Sequence, residues 1–256
     1  MQPELIPTSS EPTPFEPRER TTSEGAQVRN RILLAIPEGE YHNLRSFLSP
    51  VDLPQQTVLH EPGARLESVY FPNQGLISLV VVTRQSKTVE VGMVGNEGVI
   101  GTPAILGFNH SPHRAVVQIA GEGLRLRVES LRNLLPLTPQ LQLLASRHAV
   151  IQSMQAAQSA ACNRLHRIEQ RLARWLLIMQ DRADNRPLFV THDSLASMLG
   201  TDRPSVSLAA HDLQTKGAIG YSRGVVHILS REKIEEAACE CYRVMQQYNG
   251  AAFGHQ

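Results

Sequence analysis

Between Val51 and Val128 short apolar runs alternate with glycine-containing breaks. Thr57–His60 is followed by Glu61-Pro62-Gly63, and Ser68–Phe71 by Asn73-Gln74-Gly75. The runs Leu76–Thr83 and Thr88–Val94 come next, the second closing on Gly95-Asn96-Glu97-Gly98. Arg114–Ile119 and Gly123–Val128 complete the set. Many short strands at this spacing, with turn residues between them, predict a jelly roll or related β-barrel. Upstream, Val28–Phe47 has a helical pattern interrupted by Pro37, which predicts two short helices. Residues 1–28, rich in Pro, Glu, Ser and Thr, bury too little apolar surface to offset their ordering entropy and predict a disordered tail.

The period changes after Thr138. Thr138-Pro139 offers a hydroxyl N-cap followed by proline at the first helical position. From Gln140 to Arg164 there is neither Gly nor Pro. Leu144, His148, Ile151, Gln155, Gln158, Cys162 and Leu165 recur at alternating spacings of four and three, and a neighbouring stripe of Leu143, Val150, Met154, Ala157 and Ala161 is nearly as apolar. A long helix is predicted over 139–165, with one stripe for the β-domain and the other for a second subunit. Leu144, Ile151, Met154, Cys162 and Leu165 are the candidate seam residues. A further helix, His166 to about Arg182, carries Ile168, Leu172, Trp175, Leu176 and Met179 on one side.

Two short helical patterns then meet at Gly200: Thr191–Leu199 and Asp202–Leu213. Ala196 is small where two such helices would press together, Gly200 suits a left-handed turn, and Val206 points back under the first helix. After them, Gly217–Leu229 reads as two strands around Ser222-Arg223-Gly224. Helix, tight turn, helix and hairpin together predict a winged helix-turn-helix, whose second helix is shaped for the DNA major groove. An amphipathic helix from Arg231 to about Tyr248 closes the pattern.

The overall formal charge, +1, decides nothing, but its distribution does. From Asn163 to Arg231 ten basic residues face six acidic ones, a modest local excess of the kind phosphate binding requires. No apolar run approaches the ~20 residues of a membrane span, and the N-terminus lacks the pattern of a secretory signal. Cys162, Cys239 and Cys241 form neither an even framework nor a Cys-x-x-Cys pair, so a reducing cytoplasm is expected and no metal site is assigned. His192-Asp193-Ser194 has the residue types of a hydrolytic triad, but consecutive helical residues point about 100° apart and cannot form the relay. With no phosphate-cradling Gly-Lys loop and no His-Glu-x-x-His motif either, no catalytic residues are assigned.

The order of parts, β-roll, long helix and winged helix-turn-helix, resembles the Crp/Fnr family of bacterial transcription regulators. The resemblance runs from about Asn30 to Tyr242 and is strongest at Thr191–Leu213 and at the punctuation Glu61-Pro62-Gly63, Gly75 and Gly98-Val99-Ile100-Gly101. It implies an α+β chain: a tail (1–28), a cyclic-nucleotide-binding-like jelly-roll sensor (29–138), a dimerisation helix (139–165) and a winged helix-turn-helix (166–250). The implied partners are a second copy of the chain, double-stranded DNA carrying a pseudo-palindromic operator, and RNA polymerase, with no membrane.

The departures from the family pattern bear on the signal. Cyclic-AMP-responsive members offer a glutamate to the ribose and an arginine and serine to the cyclic phosphate. Here those positions hold Thr102, His113 and Arg114, next to Gly101 in the expected effector pocket. A one-residue shift on a strand sends Arg114 to the opposite face, so cyclic AMP is not expected. An iron–sulfur cluster of the family's kind needs cysteines near the N-terminus, and the first is Cys162; haem has no better support. On the reading helix the family often carries Arg-Glu and a second arginine, where this chain has Arg203, Pro204 and Leu208. Arg203 is the candidate base reader, with Thr191, Asp202, Ser205, Ser207 and Arg223 as the remaining DNA-contact candidates. The competing reading is a β-roll/winged-helix protein-interaction module without specific DNA binding.

Overall fold

A computed structural model describes residues 19–182 and 188–251. Strands β1 (Arg20–Thr21) and β2 (Gln27–Val28) pair in a short hairpin, so order begins inside the segment expected to be a tail. Arg20 is the reason. Its buried guanidinium donates to the carbonyls of Leu33 and Ile36, pairs with Glu38 at 3.1 Å and lies over the Tyr41 ring. Residues 1–18 of the expected tail lie outside the described residues. Pro37 separates α1 (Arg31–Ala35) from α2 (Glu38–Arg45), as its missing N–H requires.

The roll is built from β3 (Ser49–Leu53), β4 (Val58–His60), β5 (Ser68–Pro72), β6 (Leu76–Val82) and β7 (Thr88–Val94). After the short helix α3 (Thr102–Ile105) come β8 (Arg114–Ile119) and β9 (Gly121–Arg127). They form two antiparallel sheets, ordered β3-β9-β5 and β4-β8-β6-β7. Strand β3 was not predicted because Pro50 breaks its alternation; as an edge strand it tolerates the missing donor. Ile77, Val94, Ile100, Ala115 and Val117 fill the space between the sheets, and α4 (Val128–Leu134) packs beside β9.

The long helix α5 spans Pro139–Leu165, 27 residues or about 40 Å. Its N-terminus is not capped by Thr138, whose hydroxyl instead donates back to the Leu134 carbonyl at 3.0 Å. Glu40 of α2 takes that role, its carboxylate accepting from the Gln140 and Leu141 N–H groups at 3.0–3.1 Å. A negative charge there also meets the positive end of the helix dipole. His148, in the first half of α5, lies against the roll where Gly98 leaves room: a Cβ at Gly98 would overlap the imidazole.

A break at His166 leads into α6 (Ile168–Arg182), then β10 (Leu188–Phe189), α7 (His192–Leu199) and α8 (Arg203–Thr215). The hairpin β11 (Ile219–Ser222) and β12 (Val225–Ile228) pairs with β10 to make a three-stranded wing sheet. The single closing helix expected from the sequence is two, α9 (Arg231–Ala237) and α10 (Cys241–Ala251), separated by an extended Ala238. Trp175 anchors the core of this domain, and Leu76 and Met93 of the roll join the same cluster. No helix among the described residues is long and apolar enough to cross a membrane.

Candidate nucleic-acid interface

The turn between α7 and α8 follows from local chemistry. The Thr191 hydroxyl accepts from Ser194 N at 3.1 Å and caps α7. Gly200 ends it in the left-handed region (φ +60), its N–H bonding back into the helix. A side chain there would be strained and would also meet Val89 of β7. Asp202 caps α8, accepting from Ser205 N and from the Ser205 hydroxyl, both at 2.8 Å. Leu195, Ala196 and Leu199 pack against Val206, Ala209, Ala210 and Leu213, and all seven are buried. Three of the residues picked for DNA contact, Thr191, Asp202 and Ser205, thus hold helix ends. The hydroxyl of a fourth, Ser207, bonds His192 Nδ1 at 2.9 Å, and His192 stacks on Tyr221 of the wing. These side chains fix the angle between the two helices and the wing.

What α8 leaves to solvent is Arg203, Pro204, Leu208, His211, Gln214 and Thr215, positions that cluster on one side of the helix. Arg203 is at the start of that face, 65% exposed, with Asp193 at 3.5 Å as its partner. An exposed pair of this kind contributes little and opens readily to a stronger ligand. At the wing tip Ser222 pairs with Val225, leaving Arg223 and Gly224 as a two-residue loop. Both have positive φ, the signature of a type I′ turn, and Arg223 is exposed.

The winged domain is docked on the roll through β7. Trp175 Nε1 donates to Glu90 at 2.9 Å, and Ser78 donates to the other oxygen at 2.5 Å. Enclosure of the carboxylate pushes Glu90 up to about 7, against those hydrogen bonds and the nearby charges of Arg174 and Arg182. Arg182 pairs with Glu97 at 3.1 Å, both largely buried. Burial raises Glu97, but Arg182 and the N–H groups around the carboxylate outweigh it and hold the pKa low. A cavity of ≈ 290 Å³ lies beside these contacts, bounded by Gly95, Gln155, Asn163, Trp175 and Gln246.

The expected effector residues are differently engaged. Gly101 (φ +86) starts α3, and the buried Thr102 hydroxyl donates to the Val99 carbonyl at 2.9 Å. The Arg114 guanidinium pairs with Glu61 at 2.8 Å. His113 stands near His60, and burial lowers the pKa of both.

On the long helix Leu144 packs half-buried on the roll core, and Ile151 and Cys162 are buried within the protomer. The exposed large apolar residues are Leu143, Val150 and Met154 of the neighbouring stripe, 42, 59 and 41% exposed, and Leu165 at the end of the first stripe, 73%. Two candidate seam residues, Met154 and Leu165, therefore lie on the open face. The two stripes differ in phase by one residue, and only the contacts with the roll decide which faces inward. The cysteines were missed altogether as a group. Cys162 is buried with Cys239 and Cys241, beside His166. The signal was present as Cys-x-x-x-His at a helix end and Cys-x-Cys at the break before α10.

Residues 50–136 match the model of the cyclic nucleotide-binding domain, and residues 170–237 that of the Crp-like helix-turn-helix domain. The chain belongs to the Crp/Fnr family. No curated protein matches it significantly in sequence. Solved structures of the family share its fold at low identity. One is CLP, the c-di-GMP-responsive global regulator of Xanthomonas campestris: 15% identity, 76% of this chain and 100% of that one, TM-score 0.63. Another is FixK2 of Bradyrhizobium japonicum: 15% identity, 75% and 98% coverage, TM-score 0.63. A third is the transcriptional regulator TTHA1359 of Thermus thermophilus: 20% identity, 74% and 98% coverage, TM-score 0.58. As a Crp/Fnr protein the chain is a DNA-binding transcription regulator with a cyclic-nucleotide-binding-type sensor domain.

Proposed function

We propose that this Crp/Fnr protein is a homodimer that reads a pseudo-palindromic operator through α8 and answers to a small-molecule signal other than cyclic AMP. The observation that carries this reading is the outer face of α8: Arg203 exposed at its first turn, on a helix capped by Asp202 and packed against the Thr191-capped α7. A guanidinium at that place suits the paired O6 and N7 acceptors of guanine. Arg223 at the wing tip suits a phosphate, which positions the protein without reading sequence. The division of the chain into sensor (29–138), dimerisation helix (139–165) and DNA-binding domain (166–250) belongs to the same reading.

The dimer rests on α5. Its exposed stripe, Leu143, Arg147, Val150, Met154, Ala157 and Ala161, repeats at four and three residues, the spacing of a coiled-coil seam. Two α8 helices related by that axis would enter successive major grooves about 34–36 Å apart. Against cyclic AMP stand the engaged Thr102 hydroxyl and the Arg114–Glu61 pair, in a pocket without the ribose carboxylate. RNA polymerase is the further partner such a regulator would meet on DNA.

Selection of bound duplexes from a random library tests the reading. Enrichment of an imperfect palindrome, with half-sites one helical turn apart, is expected. Enrichment of no sequence would favour the protein-interaction module instead.

A further inference from the structure

The C-terminus of α5 and the break between α9 and α10 gather four ligand-type side chains, none of them among the DNA-contact or effector candidates. Cys162 and His166 are four residues apart, one turn of helix, and Cys239 and Cys241 flank Glu240 in the break. Their sulfur and ring-nitrogen atoms all lie within 4.8 Å of one another. Cys162 Sγ is 3.5 Å from Cys239 Sγ, and Cys241 Sγ is 3.7 Å from His166 Nδ1. We propose that these four residues bind a single divalent ion of the zinc class in a closed tetrahedral Cys3His site.

The dimensions favour one ion. Zn–S bonds of about 2.3 Å and Zn–N bonds of about 2.0–2.1 Å give tetrahedron edges of about 3.8 Å between sulfurs and about 3.6 Å from sulfur to nitrogen. An iron–sulfur cluster carries its thiolates around the outside of several metal atoms and needs them farther apart.

The surroundings are those of a metal site. His166 directs Nδ1 inward, while its Nε2 meets the Glu240 carboxylate at 3.2 Å, the carboxylate–histidine pairing that orients a ligating ring. Gln158 Nε2 donates to Cys241 Sγ at 3.0 Å, a contact that strengthens when the sulfur is a thiolate. Three thiolates, a neutral imidazole and a divalent ion carry a net charge of −1. Two buried arginines, Arg171 and Arg174, interact electrostatically with Cys162, and their buried Nε atoms have no hydrogen-bond partner among the described residues. A buried anionic centre would balance such cations, as Glu90 does in part for Arg174. With four protein ligands no position is left for a substrate, so the ion acts as a pin. It fastens α10 and the rear of the DNA-binding domain to the end of the long helix.

The test is metal analysis of the full-length protein purified under reducing, zinc-replete conditions, with Co²⁺ as the spectroscopic probe. About one zinc per chain is expected, and Co²⁺ loading should give thiolate-to-cobalt charge-transfer and tetrahedral d–d bands. Cys241→Ser should abolish both. Glu240→Gln alters only an exposed partner of His166; it should keep the native circular dichroism and bind metal about 10–100-fold more weakly. A protein that binds neither zinc nor cobalt would overturn the proposal. So would iron with acid-labile sulfide, or cobalt bands unmoved by Cys241→Ser and Glu240→Gln.

Discussion

Glu90 at the joint between roll and winged domain makes a pH prediction with a definite sign. Its folded-state pKa is raised to about 7 from the ordinary value of 4.5. A raised carboxyl pKa means that the folded state holds the proton more tightly. That stabilisation is complete below about pH 4.5 and is lost as pH climbs through 7. The displacement corresponds to at most about 3 kcal/mol. Because Glu90 borders the cavity, where water can screen it, about 1–3 kcal/mol is the working range. His148 pulls the other way. Burial lowers it to about 4 from 6.5, so its contribution is present above pH 6.5 and lost as pH falls toward 4. In the wild type the two opposing slopes largely cancel between pH 4.5 and 6.5, which is why the variant is needed to see either. Glu90→Gln keeps the shape and removes the titration. Urea unfolding of both proteins at half-unit steps from about pH 5 to 8 should show the variant gaining about 1–3 kcal/mol relative to wild type across the series. A difference between them that stays constant with pH would refute the assignment of a protonated Glu90 to this joint.

Three other substitutions probe separate parts of the account. Val150→Asp, on the open face of α5, should place an unpaired carboxylate in the seam and weaken dimerisation by on the order of 100-fold or more; a sedimentation profile equal to the wild-type dimer's would remove α5 from the interface. Gly98→Ala forces a methyl into the His148 ring and should lower stability by about 1–3 kcal/mol, a melting drop of roughly 2–4 °C for each kcal/mol. Combined with His148→Ala the loss should be less than the sum of the two, and strict additivity would show that the two residues do not press on each other.

Much of the architecture was legible because its signals are local. The strands of the roll are marked by glycine breaks, and the helix-turn-helix by Ala196, Gly200 and Val206, each of which takes the place its size or conformational freedom suits. The features that escaped depend on residues far apart in sequence. Glu40 caps α5 from a hundred positions away, which leaves Thr138 free to bond elsewhere. The inward face of α5 is chosen by the roll, so a periodicity shared by two stripes could not separate Ile151 from Val150. Short polar side chains near a recognition helix look alike in sequence whether they meet DNA or cap a helix, and here Thr191, Asp202 and Ser205 are engaged in capping. The cysteines are adjacent only because the chain breaks at Ala238, where helical periodicity alone runs on without interruption.

The central claim is that α8 reads bases while the wing holds the backbone, and equilibrium binding of Arg203→Ala and Arg223→Ala to the selected operator and its point variants, over a salt series, tests it most directly. Arg203→Ala should lose about 1–3 kcal/mol per half-site against the preferred base pair, flattening the preference among variants. Arg223→Ala should weaken all sequences alike and reduce the salt dependence by about one phosphate contact. If Arg203→Ala kept the full wild-type preference among operator variants at every salt concentration, α8 would not be the reading helix and the account would be contradicted.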